Sequence, residues 1–149
     1  MTTEFTDAND EVRPIAGELI PTHHRHLIGV HIEFVFRDPA AKKAGRVALG
    51  TAQKVSGLNA HLADWGEDAF VIVLARTPWI DMTPRQRKAL VDHELSHCQV
   101  DDDGALHVIG HDLEEFVAVV ERNGLWRSDV AEFGKVAAAQ LRLRLEEAS

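Results

Sequence analysis

The segment Thr83–Cys98, TPRQRKALVDHELSHC, carries a helix start and a metal-ligand spacing in one stretch. Thr83 suits an N-cap, Pro84 the first helical position, and Gln86 the position from which a side chain reaches back to close a capping box. A helix is therefore predicted from Pro84 to about Cys98. Residues four apart on a helix lie one turn above each other, so His93 and His97 project from one face within reach of a single ion. Glu94 sits beside that face, suited to take a proton from water. Zinc lowers the pKa of a bound water from about 15.7 to near 7, and a carboxylate then accepts the proton as a carbonyl is attacked. A His-Glu-x-x-His arises by chance in a chain of this composition with a probability of about 4 in 100. Its coincidence with a helix read independently from caps favours a zinc site.

A catalytic zinc takes three protein ligands and keeps one position open. The stretch that follows, QVDDDGALHVIGHDLEEF (99–116), offers His107, His111, Glu114 and Glu115. Asp103-Gly104 between short apolar pieces predicts a tight turn or small hairpin, with His107 inside it. Asp112 and Glu115 have the spacing of a second capping box, which would open a helix running to Asn123-Gly124. His111, beside Gly110 and just ahead of that cap, is then best placed to meet the first helix, with Glu115, Glu114 and His107 as alternatives. A metzincin would need glycine at Val100 and histidine at Asp103, so that pattern is excluded. Asp92 and Asp112 are candidates to orient a ligand imidazole through its second nitrogen. His31, His107 and Arg122 are candidate oxyanion stabilisers. Cys98, one step past His97, points off the ligand face and reads as a small buried side chain.

Upstream, residues 1–17 are polar and acidic without periodicity and read as a flexible arm, leaving 18–149 as a single domain. LIPTHHRHL (19–27) holds His23, His24 and His26 at spacings that match no ligand template, and reads as a solvated approach to the first strand. Ile28, Val30, Ile32, Phe34 and Phe36 alternate strictly with other residues, the pattern of a half-buried strand. Short strand-like pieces punctuated by Gly45, Gly50 and Gly57 come next. AFVIVLA (69–75) reads as a central buried strand. After Ser128, Val130, Phe133, Ala137, Leu141 and Leu145 recur at spacings of three and four, predicting an amphipathic helix that packs on a core.

The 149 residues suffice for one core without disulfides, and the single cysteine cannot form an intrachain bridge. No basic-then-apolar leader is evident and no apolar run approaches membrane length, so a cytoplasmic setting is expected. A net charge of -8 gives no positive field for phosphate backbones, so nucleic acid is not indicated as a partner. Strands come first and helices after. The fold expected is α+β, with a short, mostly antiparallel sheet packed on the HExxH helix and further helices at the C-terminal end.

LVDHELSHC on the helix, GHDLEEF downstream, and the preceding LGTAQKVSGL, FVIVLA and tryptophan before TPRQRKAL resemble the phage metallopeptidases, small zincin-like proteins. These are related in pattern to the SprT-like peptidases, and the likeness runs from about Ile28 to Gly124. In SprT-like proteins a Gly-His-Gly-x-x-Phe-like segment supplies the third zinc ligand. The resemblance therefore implies that His111 is that ligand here, with Asp112 standing where the second glycine would be. It implies a zinc peptidase acting on protein or peptide, in the host cytoplasm if phage-encoded. The expected set is His93, His97 and His111 on zinc, with Glu94 as general base. The alternative is a non-enzymatic, zincin-shaped binding protein with a structural or vestigial metal, and hydrolysis of a non-peptide bond is a third reading.

Overall fold

The computed structural model describes residues 2–148, in two compact units, 1–109 and 110–149. In the first, β1 (Glu4–Asp7) and α1 (Asn9–His23) precede β2 (Ile32–Asp38) and a small hairpin of β3 (Lys42–Lys43) and β4 (Arg46–Val47). Then come β5 (Gly50–Val55), α2 (Leu58–Leu62), β6 (Ala69–Ala75), α3 (Arg76–Asp81) and α4 (Pro84–Ser96). A second hairpin, β7 (Cys98–Val100) and β8 (Leu106–Val108), closes the unit. The four-stranded sheet has the order β1-β2-β6-β5. β2 and β6 are parallel and the two outer pairings antiparallel, so the sheet is mixed and open. This is the expected α+β fold.

β6 lies inside the sheet with both faces covered, which is why its sequence is continuously apolar instead of alternating. β2 alternates: Ile32, Phe34 and Phe36 are buried and the residues between them are only partly so. The predicted strand from Ile28 starts later, because Arg25–Leu27 form a single 3-10 turn and Gly29 takes a positive φ of 81°. Against the sheet's buried face pack Val91 and Leu95 of α4, Val12, Ala16 and Leu19 of α1, and Trp79 of α3, all within one core. A fully buried leucine or valine contributes about 1.5–3 kcal/mol relative to an exposed one, so these contacts are what hold α4 in place.

Residues 1–17 are not an arm in this structure. They form β1, paired with β2 from Glu4↔Asp38 to Asp7↔Val35, and the first half of α1. Val12, Ala16 and Leu19 are a helical stripe four and three apart, diluted by the polar residues between them, and burial against the sheet supplies the stability that local pattern concealed.

The second unit contains α5 (Val117–Asn123) and α6 (Ser128–Ala148). α5 stops at Gly124, whose φ of 69° suits glycine at a helix end, as expected. Its start differs from expectation. The cap residue is Phe116, with no side-chain hydrogen bond, while Asp112 and Glu115 lie in the preceding loop, where Glu115 accepts from the Phe116 N–H. In α6 Val130 is buried, but Phe133, Leu141 and Leu145 remain about three-fifths exposed. The stripe was legible; its cover was not.

Candidate metal centre

Thr83 Oγ1 accepts from the Gln86 N–H at 3.2 Å and the Gln86 side chain accepts from the Thr83 N–H at 2.9 Å, so the predicted capping box starts α4. The helix ends at Ser96, and His97 is its C-cap with helical backbone angles. His93 and His97 therefore still stack one turn apart, their ring centroids 5.1 Å from each other. His93 is exposed and His97 half-buried, whereas Glu94, between them in sequence, is 2% exposed.

His97 is oriented from behind. Its Nδ1 lies 2.6 Å from the Ile109 carbonyl oxygen, and the Ile109 N–H donates to the His97 carbonyl at 2.9 Å. An imidazole that donates from Nδ1 has Nε2 as its ligating nitrogen, the usual way a protein orients a histidine ligand. The predicted hairpin makes this contact: β7 and β8 pair from Cys98↔Val108 to Val100↔Leu106, turning at Gly104 with a φ of 86°. Ile109 follows β8 directly and is carried back to the end of α4.

Glu94 points the other way, into the sheet. A methyl group on Gly50 would stand 2.9 Å from Glu94 Oε1 and 3.1 Å from Leu74 Cδ2, so the carboxylate occupies the space a side chain at 50 would take. Glu94 Oε1 is 4.0 Å from His93 Nε2, while Oε2 is buried without a hydrogen-bond partner among the described residues. Burial lifts this carboxyl above the ordinary carboxylate range, and the adjacent His97 partly offsets the rise. A buried carboxylate oxygen with nothing to bind is costly, and a cation or water at the histidines would relieve it.

One ligand atom from each of His93, His97 and His111 lies within 4.8 Å of the others, so these three could hold a metal ion. The donor chemistry fits: three imidazoles suit zinc and related transition metals. Of the other candidates, His107 Nδ1 lies 2.9 Å from Asp101 Oδ1 across the hairpin without hydrogen-bond geometry, and Glu115 accepts from the N–H of the next residue. Asp92 does not orient a ligand. It accepts from His24 Nε2 at 2.7 Å, and His24 is buried, not solvated as its sequence setting implied. His26 Nε2 bonds the Cys98 carbonyl at 2.8 Å, so two of the upstream histidines reach the two ends of the motif, although His23 and His26 are exposed and only His24 is buried. His31, a candidate oxyanion stabiliser, is held by Glu33 at 2.7 Å and by the edge of Trp65. Cys98 is fully buried, as expected, its thiol aimed at the Glu94 carbonyl at 3.6 Å and pushed up to about 12 by burial and by the Glu94 charge.

Sequence reasoning missed Gly50, His24 and the Ile109 carbonyl. Gly50 opens a strand and was visible only as punctuation. A backbone carbonyl leaves no signature in a sequence at all.

A histidine pair one turn apart on a helix under a mixed sheet, with a buried glutamate between them, defines an α+β protein of the metal-binding class. A family model described as "Putative phage metallopeptidase" matches residues 3–137, and the chain belongs to that family. No curated protein and no solved structure matches it.

Proposed function

We propose that the protein is a zinc-dependent peptidase in which His93, His97 and His111 hold the metal and Glu94 is the general base. The observation that carries this reading is the buried Glu94 carboxylate, one oxygen unpartnered, beside the His93 and His97 imidazoles. A site that merely staples a fold has no use for a buried base, which disfavours a non-catalytic binding protein. Zinc held there would supply an acidified water and polarise the scissile carbonyl. Glu94 takes the proton from the attacking water, its basicity raised by burial, and returns it to the leaving amine. His97 is kept in the ligating tautomer by the Ile109 carbonyl, and Gly50 leaves the room in which Glu94 turns inward. β5 ends the four-stranded sheet beside α4 and offers an edge along which an extended peptide can add as a strand.

Metal analysis and a comparison of zinc-loaded wild type with Glu94→Gln in host lysate test the reading. Expected are about one zinc per chain in both proteins and new peptide termini in the wild-type sample alone. Identical termini in the two samples would remove the peptidase assignment, and absence of bound zinc would remove the site.

A further inference from the structure

Beside Glu94 a cavity of 530 Å3 opens along α4, sharing only His93 and Glu94 with the proposed metal centre. Gln86, Ala89, Leu90 and His93 face it from α4, at spacings of three and four that put them on one side of the helix. Leu49, next to Gly50 at the start of β5, and Met82 line the rest of it. The Gln86 side-chain oxygen is committed to the Thr83 N–H, so away from His93 and Glu94 the walls are apolar. The volume is in the range of pockets that take a large side chain with its flanking backbone.

We propose that this pocket is the specificity site of the peptidase and takes one large apolar side chain, of the leucine, methionine or phenylalanine kind, from a residue flanking the bond that is cut. The inference rests on the proposed peptidase reading. The occupant follows from continuity: the pocket shares His93 and Glu94 with the reacting centre and Leu49 and Gly50 with the head of the edge strand, so a chain laid along β5 drops a side chain into it. A charged side chain would give up its hydration against leucine and methionine, with polar groups only at the end where His93 and Glu94 lie. An acidic one would also repel Glu94. Ala89, exposed on α4, is the small residue that leaves the entrance wide.

The test uses acetylated decapeptides randomised at every position, in two arms. In the first, zinc-loaded wild type cuts the library; in the second, zinc-loaded Glu94→Gln protein retains peptides without cutting them. Leucine, isoleucine, methionine and phenylalanine should be enriched about tenfold over aspartate, glutamate and lysine at one position, in the cut set and in the retained set. Ala89→Phe, folded as judged by circular dichroism, should shift that position to alanine and glycine. Leu49→Lys, at a half-exposed wall, should admit acidic residues there and serves if the first variant fails to fold. Selective retention that Ala89→Phe abolishes, with no cutting by wild type, would uphold the pocket and overturn the peptidase. Cutting without apolar enrichment, enrichment unmoved in folded variants, or neither cutting nor selective retention would overturn the pocket.

Discussion

Helices α4 and α6 make opposite uses of their sequences. α4 is rich in charge, has only a weak apolar stripe, and yet buries Val91, Glu94 and Leu95. α6 repeats apolar residues at spacings of three and four over 21 residues, and Val130 is its buried member among the described residues. The difference teaches that a stripe records what a helix offers, while burial depends on what stands opposite. Opposite α4 are α1 and β5, with Gly50 of β5 leaving room for a carboxylate. The residue that is buried on α4 against its own chemistry, Glu94, is the one the proposed reaction needs.

Five measurements sharpen or break this contrast. The largest effect is expected from Glu94→Gln, which should lower turnover of any identified substrate by about 10²–10⁴-fold, the usual worth of a positioned base, with zinc content unchanged. Cys98, at the end of α4, should react with an alkylating reagent at pH 8 about a thousandfold more slowly than a free thiol, and normally once unfolded. Its thiolate is suppressed because burial and then Glu94 raise the pKa to about 12. Fast labelling of native protein would mean that α4 does not pack as described. Leu95→Ala, in the core, should cost about 2–5 kcal/mol in denaturant unfolding. Thr83→Ala should cost about 1 kcal/mol by leaving the Gln86 N–H uncapped. The smallest change, within about 0.5 kcal/mol, is expected for Leu141→Ser on the exposed stripe of α6. A loss as large as that of Leu95→Ala would show that the stripe is covered in solution, and sedimentation would then be the next measurement.

How much was legible varies with how local the cause is. The N-terminal end of α4 was readable because a capping box is closed by residues three apart. β6 was readable because burial on both faces writes a continuous apolar run. The hairpin at Asp103-Gly104 followed from one turn. The second capping box failed for a related reason: Asp112 and Glu115 have the right spacing, but spacing permits a cap without requiring one, and the chain enters α5 only at Val117. Residues 1–17 were misread because the apolar members of α1 are sparse and their helix is stabilised by a sheet formed later in the chain. His24 looked solvated because its partner, Asp92, lies 68 residues away, and the bond from exposed His26 to the Cys98 carbonyl, 72 residues on, leaves no local trace either.

By itself the sequence determined the helix that carries the histidine pair, the face on which they stack, the central strand and the turns, because these rest on periodicity and on contacts within a few residues. Tertiary structure decided the rest of the centre. It turned Glu94 inward against Gly50, set the tautomer of His97 with the Ile109 carbonyl, tied Asp92 to His24 and opened a pocket between Leu49 and Leu90. Each of these needs segments distant in the chain to meet, and the free energy that brings them together comes from burial of the sheet and the helices packed on it, which no local pattern records.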